Sequence, residues 1–215
     1  METQKIKNKK VIGLIYGILT VLLGIGGITL LLSALFFFLT LFSPDFEPFF
    51  PIVEVPIEIM ENASLDLKNG ETFDILVDEA FVSFNVNGKY GLAGILNYLF
   101  FVSILVIAFY VILLLWKIFR SIRSSLKNEN PFHPKNIWRI RKIGIAVLIS
   151  AVLDMIYPVI LKYLWFDKIH MLEKSFDLRL NFDATIDVFW ALIVFVVAEI
   201  YRIGLEMKKE QELTI

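Results

Sequence analysis

Four long apolar segments, joined by loops whose charge alternates in sign, constrain the fold of this chain more than any other feature. The stretches Met1–Lys10 and Lys117–Lys142 are basic, whereas Phe46–Glu79 is acidic. Cytoplasmic loops of membrane proteins are enriched in Lys and Arg, so the two basic stretches are predicted to lie inside the cell and the acidic one outside. The pattern predicts a four-pass membrane protein with both termini in the cytoplasm.

The composition leaves little room for anything besides the membrane segments. Hydrophobic residues make up 57% of the 215 residues, compared with about 45 to 50% in soluble domains. Each membrane helix uses about 20 residues, so no large soluble catalytic domain fits into the remainder. The chain contains no cysteine, which excludes disulfides and cysteine-ligated metal sites.

We predict one membrane domain over residues 1–215. Its spans are predicted at 11–42, 92–119, 140–165 and 184–203, with an extracytoplasmic insertion at 43–91, a basic cytoplasmic loop at 120–139 and a cytoplasmic helix at 204–215. The first apolar run is much longer than the about 7 to 15 residues of a signal-peptide core, so we expect it to be retained. Gly13 and Gly17 in this run have the G-x-x-x-G spacing that lets helices approach closely.

The insertion at 43–91 contains short runs in which apolar and polar residues alternate, a pattern typical of β-strands. Asn87-Gly88 is a turn signal for a hairpin. Phe176–Phe182, just before the fourth span, has the same alternation and is predicted to add a strand. The predicted fold class is therefore a mainly α membrane protein, a four-transmembrane-helix bundle with a small extracytoplasmic β-sheet region.

The sequence has no motif of an established catalytic site. It lacks a phosphate-binding Walker loop, a G-x-S-x-G nucleophile turn and an H-E-x-x-H zinc pair. His133 and His170 are predicted on opposite sides of the membrane, where they cannot share a metal ion. We therefore expect no enzyme activity, no catalytic residue, no cofactor and no metal.

Asp154 lies near the predicted middle of the third span. An ionised carboxylate there costs several kcal/mol unless it is paired, hydrated or protonated. One interpretation is a proton- or cation-binding group in a polar pathway, together with Ser150 and Tyr157. The other is a protonated acid that hydrogen-bonds between helices, which we favour because no second acid or base is predicted at the same depth.

Glu199 and Arg202 occur at the predicted inner end of the fourth span. Their spacing of three residues places them on one helix face, where they can form an ion pair. Glu199 has an alternative partner in Arg139 or Arg141 on the third span. Either pairing lowers the free-energy cost of placing charge near hydrocarbon and fixes how the two helix ends dock.

The basic loop allows three physical interpretations: a signal for membrane topology, attraction to anionic lipid, and docking of an acidic partner. Nucleic-acid binding also requires positive charge. The loop is short, however, and lies next to lipid headgroups that compete for its cations. We therefore expect no direct nucleic-acid contact.

Two stretches resemble a known family. The first is Asn130-Pro131-Phe132, followed by Asn136 and by the sequence Ile137–Gly144; the second is Ala198–Gly204, continuing into Glu210–Ile215. Both are similar to the bacterial four-pass proteins of domain of unknown function family 2975. In that family a Ser or Thr helix cap is expected where this chain has His133-Pro134. The resemblance implies no established activity, and it implies a small soluble helix-turn-helix transcription regulator as a partner, because members are often encoded beside one.

The leading hypothesis is a bacterial plasma (inner) membrane protein that acts as a sensor or regulatory anchor in the lipid bilayer. Its predicted cytoplasmic docking surface consists of Arg139, Arg141, Lys142, Glu206 and Glu210. The alternatives are a small ion- or proton-coupled transporter or channel that uses Asp154, and a structural subunit of a membrane complex. A homo-oligomer is compatible with each of these.

Overall fold

Four long α-helices make up most of the described part of the chain. The computed structural model describes the backbone of residues 2–42, 52–66, 72–85, 92–125, 133–165, 169–171, 174–176 and 184–213, and the side chains of 10–39, 42, 95–96, 98–125, 133–160, 184–211 and 213. The helices are α1 (Glu2–Phe42), α2 (Leu92–Ser125), α3 (Pro134–Trp165) and α4 (Thr185–Leu213). These helices contain the predicted spans, apart from Ala184, which precedes α4, and each helix extends beyond its predicted span.

Each helix contains a segment long and apolar enough to cross a membrane. These segments are Lys10–Leu39, Tyr98–Ser125, Pro134–Ile160 and Thr185–Gln211. Large apolar side chains stand exposed along them, such as Leu14 at 66% and Leu31 at 73%. Hydrocarbon, not water, is the solvent that accommodates such surfaces, so the chain is a multi-pass integral membrane protein whose helices contact lipid.

The described residues form two compact units, of which the first contains 1–38, 100–151 and 185–215. Its core joins α2, α3 and α4 through the buried side chains of Leu114, Ile118, Ile140, Ile143 and Ala198. Ala198 is fully buried, as is Ala191 two turns before it. Small residues at these positions let α4 approach its neighbours closely, as is typical of helices packed in membranes.

Two glycines mark further close helix contacts in this unit. A Cβ atom at Gly144 of α3 would lie 3.1 Å from Cζ of Phe195 on α4, and one at Gly26 of α1 would lie 2.9 Å from Cδ2 of Phe109 on α2. By contrast, a Cβ at Gly13 or Gly17 would meet no described atom within 4 Å. The G-x-x-x-G spacing in α1 is therefore not a packing contact within the described part of the chain.

The second unit contains Leu39–Leu99 and Val152–Ala184. Its backbone includes β1 (Ile52–Asp66) and β2 (Thr72–Asn85), which pair antiparallel from Ile52 with Asn85 to Asp66 with Thr72, and the register shifts between Glu58 and Glu61. Two three-residue strands, β3 (Ile169–Met171) and β4 (Lys174–Phe176), form a separate antiparallel pair.

The predicted fold class is wrong in its β-sheet region, because the β1–β2 and β3–β4 pairs are separate and do not form one sheet. Among the residues whose side chains the structure describes, none lies in a strand, and the fold of this part is a mainly α four-helix bundle. β4 pairs with β3 and not with β1 or β2. Residues 177–182 of the predicted Phe176–Phe182 strand lie outside the described residues. Alternating apolar and polar residues favour an extended backbone, but this local preference does not specify which strands pair into a common sheet.

Candidate functional site

The start of α3 is fixed by an unusual helix cap. α3 begins at Pro134, a residue favoured at the first helical position because it has no N–H to leave unpaired. The backbone N–H of Lys135 donates to Nδ1 of His133 at 3.2 Å, and that of Asn136 donates to the His133 carbonyl at 2.9 Å. The His133 imidazole therefore caps the start of α3, at the position where the sequence resemblance predicts a Ser or Thr cap.

A hydrogen-bond network around Asn136 joins this cap to α4 and α2. Asn136 is completely buried; its amide Nδ2 donates to the Tyr201 hydroxyl at 3.4 Å, and its Oδ1 accepts a hydrogen bond from Arg139 Nη1 at 2.8 Å. The Tyr201 hydroxyl also accepts the His133 backbone N–H at 2.9 Å, and Arg139 Nη1 also donates to the Lys117 carbonyl at 3.0 Å. We call His133, Asn136, Arg139, Tyr201 and the Lys117 carbonyl the Asn136 network.

The Asn136 network lies directly beside the apolar core of the first unit. Asn136, Ile140, Ile143 and Val147 are spaced along one face of α3, and the three apolar residues pack in that core. The motif of the family resemblance includes Asn136 and Tyr201 but assigns no role to either. The sequence signal for a role of Asn136 is its spacing from Ile140 and Ile143, which places a polar amide on the packed face of α3.

An ion-pair cluster joins α3 to α4 next to the Asn136 network. Glu199 Oε1 accepts a hydrogen bond from Arg202 Nε at 2.8 Å, and Glu199 Oε2 lies 3.4 Å from Arg141 Nη2. Arg202 Nη1 also pairs with Glu206 Oε1 at 2.6 Å. We call Arg141, Glu199, Arg202 and Glu206 the Glu199 cluster.

The Glu199 cluster combines the two pairings that the sequence left open. Glu199 pairs both with Arg202 on its own helix and with Arg141 on α3, whereas Arg139 bonds to Asn136 and Lys117. The Arg141 and Glu199 side chains are 40% and 46% exposed. The ion pairs fix the relative orientation of these charged groups on α3 and α4.

A cavity of about 510 Å³ lies between the end of α2 and the start of α3. Four cationic side chains line it: Lys117, Arg120, Lys135 and Arg139. Trp116, Ser121, Ser124, Ser125 and His133 complete its lining. We call this cavity the basic pocket; its walls offer cationic groups and hydroxyl groups.

Aromatic residues anchor α1 beside one wall of the basic pocket. The ring of Trp116 stacks on Tyr16 with centroids 5.7 Å apart, and its Nε1 donates to the Thr20 hydroxyl at 3.0 Å. The guanidinium groups of Arg120 and Arg123 lie over Trp116 and Tyr16 at 5.2 and 5.1 Å. These cation–π contacts hold both arginines against the aromatic pair.

Comparison with known proteins identifies the family. A family described as Protein of unknown function (DUF2975) matches residues 78–215, more than half of the chain. The chain belongs to this family. The resemblance inferred from the sequence is thus confirmed, and the match contains both stretches on which it rests as well as α2, α3 and α4. No curated protein and no solved structure matches the chain.

The residues predicted to form a docking surface occupy different environments in this family member. Arg141 pairs with Glu199 and Glu206 pairs with Arg202, both within the Glu199 cluster. Lys142 and Glu210 are exposed on α3 and α4, and Arg139 is half-buried in the Asn136 network. Arg139 thus has a packing role in addition to its charge. The exposed members of the set remain predicted docking residues.

The residues predicted to form an intramembrane polar site lie along α3 of the family member. Ser150, Asp154 and Tyr157 are each half-buried and fall within the apolar segment Pro134–Ile160. α3 continues through Pro158 to Trp165. Half-burial in a membrane-spanning helix is compatible with both interpretations of Asp154, the polar pathway and the contact between helices.

Proposed function

We propose that this DUF2975 protein is a sensor or regulatory membrane anchor whose Glu199 cluster and neighbouring exposed charges dock a soluble partner. The supporting observation is that cations and carboxylates from α3 and α4 are held together in one accessible array. Charged groups that are already oriented give a partner both a register and an electrostatic pattern to match. A surface that only had to retain the loop in the cytoplasm would not require paired carboxylates.

The proposed partner is a small soluble helix-turn-helix regulator. The family resemblance implies this class of protein, and the charge-based topology places the Glu199 cluster on the cytoplasmic side, where such a protein is found. α4 continues as a polar helix beyond Arg202 to Leu213. Its exposed carboxylates, together with the cations of α3, offer charges of both signs to the partner.

The decisive experiment is a crosslinked co-purification from native membranes, with an affinity tag placed after Ile215. The natural chain is compared with the double charge reversal Lys142→Glu and Glu206→Lys, which preserves the net charge of the protein. These exposed residues are preferable to Arg139, since reversing Arg139 also removes a donor to the buried Asn136. Asp187→Lys, at an exposed position near the other end of α4, is the control.

We expect a soluble helix-turn-helix protein to co-purify with the natural chain and with the Asp187→Lys control, and to be lost from the double reversal. Equal membrane insertion of all three proteins, measured by their yield in the membrane fraction, makes the comparison valid. Retention of the same partner by the double reversal contradicts the docking surface. Recovery of membrane proteins alone contradicts the regulatory role and favours a subunit of a membrane complex.

Transport is the second candidate function, and the half-burial of Asp154 within an apolar helix is the observation that favours it. A carboxylate in this environment can bind a proton or a cation when a polar pathway reaches it. Proteoliposomes containing the purified chain test this function. Ion or proton flux that disappears in Asp154→Asn supports transport, whereas the absence of flux from the natural chain opposes it.

A further inference from the structure

We propose that the basic pocket binds a phosphate group, carried either by an anionic phospholipid or by a small soluble phosphate compound. The cavity volume of about 510 Å³ falls within the range of roughly 300 to 1,000 Å³ that is typical of small-molecule sites. Cations from two helices converge on it, and three serine hydroxyls add hydrogen-bonding groups. This inference does not depend on the proposed regulatory function.

The positive charge of the basic pocket is not compensated within the described part of the chain. None of Lys117, Arg120, Lys135 and Arg139 forms an ion pair with a described carboxylate; Glu199 and Glu206 pair with Arg141 and Arg202. Like charges gathered in one cavity repel one another. A bound oxyanion relieves that repulsion, so the cluster favours an anionic ligand.

The described groups in the pocket can contact a phosphate directly. Both described hydrogen bonds of the Arg139 guanidinium leave from Nη1, and its Nε and Nη2 bond to no other described residue. A guanidinium presents these donors in a planar fork that suits phosphate oxygens.

The position of the pocket along the helices is that of a lipid headgroup. The apolar segment Tyr98–Ser125 ends beside it and the segment Pro134–Ile160 begins beside it. Trp116 in its wall is a residue typical of the membrane interface. Phospholipid phosphates lie at this depth, immediately outside the hydrocarbon. The lipid is therefore the source of phosphate that the geometry favours, and a soluble phosphate shares the same recognition chemistry.

The test uses Trp116 as a fluorescent reporter in the purified full-length chain, with the other tryptophans replaced by Trp138→Phe, Trp165→Phe and Trp190→Phe. Dihexanoylphosphatidylglycerol, dihexanoylphosphatidylcholine and inorganic pyrophosphate are titrated separately in an uncharged detergent. The pocket variant is Arg120→Gln with Lys135→Gln. The matched control is Arg123→Gln with Lys142→Gln, which removes the same charge from the same two helices outside the pocket lining.

We expect saturable binding of the phosphatidylglycerol probe, with affinity at least about tenfold weaker in the pocket variant and little changed in the control. Binding of phosphatidylglycerol alone assigns the site to lipid, and binding of pyrophosphate as well assigns it to a phosphate group from either source. Equal affinities for the pocket and control variants overturn the proposal. So does equal binding of phosphatidylcholine, or no saturable binding of any probe.

Discussion

The hydroxyl of Tyr201 offers a direct test of how the polar helix ends are held together. It is the acceptor that links α4 to the cap of α3, through the His133 backbone N–H at 2.9 Å, and to the buried amide of Asn136 at 3.4 Å. The substitution Tyr201→Phe removes this oxygen and retains the ring. Any effect on stability therefore reports the hydrogen bonds and not the packing of the ring.

The expected cost follows from the two donors that lose their acceptor. A buried donor without a partner costs about 1 to 3 kcal/mol. His133 is half-buried, so water can replace part of its hydrogen bond, and the Asn136 bond is long and correspondingly weak. We therefore expect Tyr201→Phe to lower the free energy of unfolding by about 2 kcal/mol, a change of about 30-fold in the unfolding equilibrium.

The assay is equilibrium unfolding in mixed micelles with an increasing fraction of denaturing detergent, followed by tryptophan fluorescence. Tyr110→Phe is the control, because Tyr110 is exposed on α2 and has no described hydrogen bond. A double-mutant cycle with Asn136→Ala measures how strongly the two side chains are coupled. If Tyr201→Phe is no more destabilising than Tyr110→Phe, the hydroxyl does not hold the helix ends together and the reasoning fails.

Two further predictions concern helix packing and membrane topology. Gly144→Ala places a methyl group 3.1 to 3.2 Å from the Phe195 ring of α4, and we expect this substitution to lower the free energy of unfolding by about 1 to 2 kcal/mol in the same assay. Gly17→Ala is the control, because its methyl group would meet no described atom within 4 Å. Equal effects of the two substitutions contradict the contact between Gly144 and Phe195. Because the chain has no cysteine, single cysteines at Ser64, Ser124 and Ser175 can be labelled in intact cells with a membrane-impermeant reagent. We expect labelling at Ser64 and Ser175 only. Labelling at Ser124 would show that the chain has the opposite orientation to the predicted one.

The helices of this protein are predictable because their cause is local and strong. A run of apolar residues such as Val11–Phe42 cannot satisfy its backbone polar groups in lipid except by forming a helix. The pairing of β-strands has no comparable local cause. Alternation in the insertion at 43–91 predicts extended backbone, but among the described strands β4 pairs with β3 and not with β1 or β2. Strand partners are chosen by contacts distant in sequence.

In the candidate site, only contacts between residues of the same helix are predictable from the sequence. The spacing of Glu199 and Arg202 on one helix face suffices to predict their ion pair. By contrast, two arginines of α3, Arg139 and Arg141, were equivalent candidates for pairing with Glu199, and the structure distinguishes them: Arg141 reaches the carboxylate and Arg139 turns to Asn136. Helix rotation and the approach of a second helix decide this, and neither is a property of one segment.

The sequence by itself determined that the chain has four helices able to cross a membrane, since hydrocarbon imposes the same requirement on every apolar run of sufficient length. The family membership also follows from short local stretches of sequence. Only the tertiary structure decided that His133 caps α3, that Asn136 is buried against Tyr201, and that cations of α2 and α3 surround one cavity. These features depend on side chains from separate helices meeting in space, and their positions are fixed by packing between helices.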